Sequence, residues 1–432
     1  MQRYGAYKDS GVEWIGEIPA GWEVVNLSAL ATQRKRKNIG SIEGNVLSLS
    51  YGRIKRRIID NSGLLPESFE TYNVIEPGDI VLRLTDLQND QVSLRVGRSD
   101  ERGIITSAYC TLNPNNVDSR YLFDILACFD YQKGFYGLAG GVRQGLTFDG
   151  IKGLKFPLPS IREQQAIADY LDEKTAEIDS IVSQTERSIG LLREYRKSVI
   201  SEAVTKGLDP NAPMRDSGVE WIGEIPAGWS LVKLGVVATK IGSGKTPRGG
   251  ANVYHDEGIT FLRSQNIYDT GLRLDDVAYI SEEVDEEMSA TRVFKGDVLL
   301  NITGGSIGRC CTYDLEAHAN VNQHVCIIRP SGKALPKWIR YFWNSNPGRT
   351  TVDIHQSGAN REGLNFEQIA SARIPLPSVN EQTKIVLYID AKTAEIDSLI
   401  ADKQRQVELL REYRKSLISE AVTGKFKVPG LE

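Results

Sequence analysis

A chain that repeats itself folds as a repeat, and this one does so in long separate blocks. Residues 9–22, DSGVEWIGEIPAGW, recur unchanged at 216–229. A second block closes each copy: PLPSIREQQAIADYLDEKTAEIDSIVSQTERSIGLLREYRKSVISEAVT from Pro157 is matched by PLPSVNEQTKIVLYIDAKTAEIDSLIADKQRQVELLREYRKSLISEAVT from Pro375. Length alone, 432 residues at roughly 150 per domain, suggests about three domains. The repeat replaces that count with two modules, 1–156 and 209–374, and two tail segments, 157–208 and 375–432.

Between the shared blocks the copies diverge over a faint common skeleton. Pro77-Gly78-Asp79-Ile80-Val81-Leu82 lines up with Lys295-Gly296-Asp297-Val298-Leu299-Leu300, and Gly145-Leu146 with Gly363-Leu364. Val96-Gly97-Arg98 is expected to echo Ile307-Gly308-Arg309. Short β-rich runs at 46–49, 80–84, 260–262, 298–302 and 325–328 are bounded by turn residues, and 121–129 and 336–343 carry apolar residues at helical spacing. The expected class is α/β (α+β): two mixed modules, each with a long helical tail.

From Ile161 to Thr205 the only helix breaker is Gly190, so the tail is one helix of roughly 60 Å. With Leu171, Ile178, Thr185, Leu192 and Val199 at heptad position a, Ile181 and Tyr195 fall at d, and Val182 and Ile189 at e. The copy places Ile389, Ile396, Lys403, Leu410 and Leu417 at a, with Leu399 and Tyr413 at d. Each stripe needs cover, either from its own module or from the other helix as an antiparallel coiled coil. Thr185 with Ser188, and Lys403 with Gln406, are the polar residues expected to fix register.

Motifs for catalysis are missing. Gly242-Ser243-Gly244-Lys245-Thr246 resembles the end of a P-loop, but Thr239 stands where its first glycine belongs. Asn113-Pro114-Asn115-Asn116 and Asn346-Pro347-Gly348 lack the aromatic that base methylation uses for stacking. No C-x-x-C or H-E-x-x-H occurs, and the five Cys and four His suggest neither disulfides nor a metal site. The chain is expected to be no enzyme, to hold no metal, and to reside in the cytoplasm, with neither a signal-peptide pattern nor a membrane-spanning run.

Binding remains. The net charge of −4 excludes a polybasic binder, so any nucleic-acid contact must come from local patches. Arg34, Lys35, Arg36, Lys37, Arg53, Lys55, Arg56 and Arg57 form one, with only Glu43 among them. Such a cluster neutralises phosphates. Arg83, Gln88, Asn89, Arg143 and Gln144 in the first copy have types that reach base edges, as do Lys245, Arg248, Arg263, Gln265, Asn266, Asn301, Gln323, Asn360 and Arg361 in the second. The acidic run Glu282–Glu287 is expected to be a solvated face turned away from DNA.

The repeated W-I-G-E-I-P-x-G-W at Trp14 and Trp221, the P-L-P-S-x-x-E-Q at Pro157 and Pro375, and the L-L-R-E-Y-R-K-S-x-I-S-E-A-V-T at Leu191 and Leu409 resemble the specificity subunit of type I restriction-modification systems over essentially the whole chain. The resemblance implies two target recognition domains joined by two conserved helices and reading an asymmetric bipartite double-stranded DNA target. It implies partners too: two modification subunits that use S-adenosylmethionine to methylate adenine, and restriction subunits that use ATP, with Mg²⁺ also confined to the partners. The rival reading is a structural coiled-coil adaptor. Candidate partner contacts on the helices, expected on exposed faces, are Glu163, Gln164, Glu177, Arg193 and Arg196, with the copies Glu381, Gln382, Glu395, Arg411 and Arg414.

Overall fold

The computed structural model describes residues 2–57, 68–87, 94–138, 145–356 and 363–431. They form two compact units, one of residues 1–186 with 405–432 and one of residues 187–404.

In the first unit the shared blocks build a frame. Tyr7–Asp9 and Glu17–Pro19 pair as a hairpin, and Glu23–Asn26 pairs antiparallel with Lys155–Leu158, directly ahead of the long helix. The divergent segment therefore leaves the frame and returns to it on neighbouring strands. It contributes a six-stranded sheet in the order Ala31–Gln33, Cys110–Pro114, Ile80–Leu82, Val96–Arg98, Arg53–Arg56, Leu47–Ser50. Among the described residues of this sheet only Val96–Arg98 with Arg53–Arg56 is parallel. Helix Ser119–Tyr131 starts where the Asp118 carboxylate caps the amides of Arg120 and Tyr121, and it buries Tyr121, Leu122, Ile125, Leu126 and Phe129 at helical spacing.

The second unit repeats the frame. Met214–Asp216 pairs with Glu224–Pro226, and Ser230–Lys233 with Arg373–Leu376. Its four-stranded sheet, Ala238–Ser243, Val325–Pro330, Val298–Asn301, Cys310–Thr312, matches the first four strands of the other unit in order. In a second sheet, Ala278–Ile280, Ile259–Leu262, Ala319–Val321, Arg292–Val293, the last two strands pair antiparallel as Gly103–Ile105 and Asn73–Ile75 do in the first unit. Helix Pro336–Asn344 stands where Ser119–Tyr131 stands in the first.

Pairing register corrects one expected equivalence. Gly78 and Gly296 donate to the carbonyls of Ser99 and Tyr313, so Val96-Gly97-Arg98 corresponds to Cys310-Cys311-Thr312 and not to Ile307-Gly308-Arg309. Three residues of likeness were outweighed by strand register, which puts Leu82 opposite Val96 and Leu300 opposite Cys310. Alternation on that strand sends Cys310 and Cys311 into different cores. All five cysteines are buried, and burial raises every thiol, Cys110 and Cys128 to about 11 and Cys311 and Cys326 to about 12.

The frame contacts recur residue for residue. Trp22 Nε1 donates to Glu163 at 3.1 Å, and Trp229 Nε1 to Glu381 at 2.9 Å. The Tyr121 hydroxyl donates to the Pro157 carbonyl and Trp338 Nε1 to the Pro375 carbonyl, both at 3.0 Å. Gly424, at φ 70°, lies against Pro19 and Trp22, as Gly207, at φ 74°, lies against Pro226 and Trp229; a positive φ and an indole at the Cβ position both favour glycine. One difference stands out. The join after Gly207 is covalent and runs on to Met214, whereas in the first unit it is made by contact: Gln2 bridges Lys427, Tyr7 donates to the Lys425 carbonyl, and the Lys425 ammonium donates to the carbonyls of Ile15 and Glu17.

The long helices are Ile161–Lys206 and Val379–Val422, and each unit takes part of both. In the first unit Asp179 pairs with Arg414 at 3.0 Å and Glu186 with Arg411 at 2.7 Å, so the helices run antiparallel. In the second, Arg196 grips Asp397 at 2.9 and 3.0 Å, while Ile200, Ala203 and Val204 share a core with Ile385, Val386 and Ile389. Each helix packs on a module and on the other helix, so the two arrangements left open by the sequence occur together. The seam is the a/e set and not a/d: Leu171, Ile178, Thr185, Ile189 and Val199 are buried, but Ile181, Tyr195, Leu399 and Tyr413 are 44%, 56%, 46% and 52% exposed. Thr185 lies on the seam with its hydroxyl donating to the Ile181 carbonyl at 2.8 Å, whereas Gln406 faces solvent. Among the described residues no helix is long and apolar enough to cross a membrane.

Candidate nucleic-acid interface

In the second unit four loops meet beside the sheets. Gly244 follows strand Ala238–Ser243 and lies so near the backbone of Val321 that a Cβ would sit 1.7 Å from its carbonyl oxygen. That packing accounts for the glycine of the G-S-G-K-T string, which leaves its strand into a loop rather than into an α-helix as a phosphate-binding loop does. Thr246 donates to Gln323, whose amide meets His324 at 3.1 Å, and His324 Nδ1 lies 2.6 Å from the Thr303 hydroxyl. Lys245, Arg248, Gln265 and Gln323 are exposed on this rim, with Arg263 half-buried and its guanidinium donating to the Asp276 carbonyl at 3.0 Å.

Two of the proposed base readers are internal braces instead. Asn266 is 2% exposed: its oxygen accepts from the Arg263 amide and its nitrogen donates to the carbonyls of Arg273 and Asp276. Asn301 is fully buried and donates to the Ser264 carbonyl at 2.8 Å and to Ser306 at 3.0 Å. Both hold neighbouring loops in place, Asn266 with both its side-chain polar atoms and Asn301 through its nitrogen. His324 and Thr303 belong to the same rim and were missed as site residues, because nothing in the sequence joins them across the chain.

In the first unit the basic cluster is divided. Arg34 pairs with Asp79 at 2.6 Å and donates to Asn113 at 2.7 Å; the equivalent Asp297 is paired by Arg329, which stands at the position of Asn113. Burial raises the Asp79 carboxyl even against Arg34. Arg36 pairs with Glu76, Arg56 with Glu101 and Arg53 with Asp179, and Lys37 donates to the Thr71 carbonyl. Counting Glu43 alone therefore understated the acids: Glu76, Asp79, Glu101 and Asp179 come from far along the chain. The hydrogen bond from Arg56 lowers the Glu101 carboxyl. Lys35, Lys55 and Arg57 are exposed, and Arg83 is half-buried with Asp86 at 3.9 Å. Gln88, Asn89, Arg143, Gln144, Asn360 and Arg361 lie outside the described residues.

The acidic run differs from expectation at one position. Glu282–Glu287 forms a helix capped by Ser281, but Asp285 is buried and binds Arg292, Asn320 and His318 at 2.7–3.1 Å. It anchors that helix to the second sheet. Arg292 and Asn320 hold its carboxyl below the usual range despite burial. Among the described residues no cluster of His, Cys, Asp and Glu could hold a metal.

On the helices, Gln164 and Gln382 are buried, not exposed. Their oxygens accept from the amides of Asp118 and Leu335 at 2.9 and 2.8 Å, and their nitrogens donate to the carbonyls of Pro159 and Pro377. Glu163 and Glu381 bind the repeated tryptophans, and Arg196, Arg411 and Arg414 bind across the helix pair. Glu177 and Glu395 are exposed and pair with Lys174 and Lys392, one turn back on the same helix, and Arg193 is exposed. Sequence patterning missed two exposed pairs on identical sequence, Leu191 with Tyr195 and Leu409 with Tyr413.

Two copies of one frame, each presenting its own loops, define a two-module recognition protein. The family model for the type I restriction modification DNA specificity domain matches residues 96–189 and 226–409. The chain is 23% identical to the putative type I restriction enzyme MjaX specificity subunit of Methanocaldococcus jannaschii over 96% of both chains, and 22% identical to the EcoKI specificity subunit of Escherichia coli over 95% of this chain and 90% of that one. A 28% match to the EcoBI specificity subunit of Escherichia coli covers 62% of this chain and 57% of that one. The fold is similar to a solved chain from work on complex assembly and conformational transition of the type I R-M system, with TM-score 0.70, 16% identity and 95% and 99% coverage. It is also similar to the HsdS subunit of Thermoanaerobacter tengcongensis, with TM-score 0.50, 16% identity and 98% and 100% coverage. The chain belongs to the type I restriction-modification DNA specificity family.

Proposed function

We propose that this chain is the DNA-reading, non-catalytic subunit of a type I restriction-modification complex. The modules 1–156 and 209–374 each read one half of an asymmetric bipartite duplex target, and the helical segments 157–208 and 375–432 hold them. The observation that carries this reading is the duplicated frame, identical in its Trp–Glu and Gln–amide contacts, bearing loops that differ between the copies. A reader of two unlike half-sites needs that combination; an adaptor has no use for divergent polar rims. Two modification subunits, carrying S-adenosylmethionine, dock on the repeated helix faces, and restriction subunits carrying ATP and Mg²⁺ complete the assembly. Base methylation across the genome, mapped in cells with and without this chain beside its modification subunit, tests it. One bipartite adenine motif is expected to vanish with the chain; an unchanged methylome overturns the reading.

A further inference from the structure

The hairpin Ile267–Tyr268 with Gly271–Leu272 places an aromatic ring beneath two arginines. The Arg273 guanidinium lies 3.8 Å and that of Arg309 4.5 Å from the centre of the Tyr268 ring. Among the described residues neither is paired with a carboxylate. Of the acids nearby, Asp269 binds Arg349 and accepts from the Cys310 amide, and Asp276 binds Arg263 and Gln265, while Asp275 is exposed on the same loop. A guanidinium stacked on an aromatic ring keeps its N–H edge available, and a second cation beside the same ring adds to the attraction for an anion.

Both arginines are tied to the loop rim. The amide and carbonyl of Arg273 exchange hydrogen bonds with the carbonyl and side chain of the buried Asn266, and the Arg309 carbonyl accepts from the amide of the buried Asn301 at 2.8 Å. The repeat shows what this position does otherwise. Arg95 occupies the slot of Arg309, its carbonyl accepting from the Arg83 amide at 2.9 Å. Yet Arg95 is 1% exposed and donates to the carbonyls of Arg83, Thr85 and Asp86, holding its own loop together. In the second unit the Asn301 side chain supplies the brace, and Arg309, over Tyr268 as Arg95 is over Tyr136, is spared that work.

We propose that Arg273 and Arg309, positioned by Tyr268, clamp a backbone phosphate of duplex DNA beside the second half-site. This rests on the reading of the second module as a DNA reader. It assigns the pair to positioning and not to base recognition. The test uses the chain assembled with its modification subunits, a duplex carrying the methylated motif, and a scrambled duplex. The double variant Arg273→Gln/Arg309→Gln is expected to weaken binding to both duplexes alike by about tenfold at physiological salt and to lower the slope of log affinity against log salt by about 1 to 2, with the motif unchanged. Tyr268→Phe keeps the ring and is expected to bind as the native chain, while Tyr268→Ala behaves like the double variant. Melting temperature shows that each variant is folded. Unchanged affinity and slope, or a motif altered in its second half, overturns the clamp. Lys245→Gln/Arg248→Gln separates the two levels: if it weakens binding while the Arg273/Arg309 variant does not, only the clamp fails, and if neither does, the DNA-facing rim fails with it.

Discussion

Asp124 lines a cavity of about 500 Å³ that it shares with Arg98, Arg120, Asp172 and Arg414. Burial, with Asp172 adding to it, pushes its carboxyl up to about 8 against the pull of Arg414, Arg98 and Arg120. In the unfolded chain the group ionises near its ordinary value, so between that pH and about 8 the folded state holds a proton that the unfolded state has lost. Stability therefore falls as pH rises through that window, by up to about 1.4 kcal/mol per pH unit from this group, and levels off above it. Asp124→Asn should remove that contribution and melt higher than the native chain at pH 8, with the gap closing toward pH 4. A variant whose melting temperature tracks the native chain at every pH would show that Asp124 is not the source. At this scale the sequence exposes residue type but not employment. Asn301 and Gln323 look equally able to touch a base; one is fully buried under Ser264 and the other lies on the rim, and the difference is set by residues tens of positions away.

The long helices were legible as helices because 161–205 holds no breaker but Gly190 and its copy holds none, and the seven-residue period was legible too. Its phase was not. A stripe spaced alternately four and three can be lettered a/d or a/e, and Tyr195 and Tyr413 look apolar enough for a core until the module beneath the helix is known. Their exposure, beside Leu191 and Leu409, gives each helix the same apolar patch, and identical patches suit two copies of one partner. On the proposed assembly, replacing Leu191 and Tyr195 with Glu should leave the melting temperature within a few degrees of native and cost one of the two proposed modification subunits, measured by native mass spectrometry; replacing Leu409 and Tyr413 as well should cost both. Full assembly of the four-site variant would place the docking face elsewhere. The strands 80–82, 298–301 and 325–330 were recognised from β-rich runs between turns. Their order was not, since pairing such as Cys110–Pro114 between Ala31–Gln33 and Ile80–Leu82 is decided by long-range register.

For the whole molecule the repeat carried most of what could be known beforehand: two modules, two helices, and a shared base under divergent loops. The frame strands confirm why the shared and divergent stretches alternate, since Glu23–Asn26 meets Lys155–Leu158, and Ser230–Lys233 meets Arg373–Leu376, on either side of the variable insert. If each module reads a half-site as proposed, helix length is expected to set the spacer, at ~1.5 Å per residue. Deleting one heptad ahead of Thr185 should change the number of unread bases while keeping both half-sites, as read by methylation sequencing; an unchanged motif would detach spacing from the helix.

The join between the second long helix and residues 2–26 is made without a peptide bond, while its counterpart at Gly207 has one. Each unit draws on both sides of that covalent stretch: 405–431 completes the first and 187–206 completes the second. A protease that nicks the exposed link at Asp209–Asn211 would cut the chain yet leave both units assembled by fragment complementation. Two separately translated halves, one ending and one starting at that link, are expected to rebuild both units when mixed.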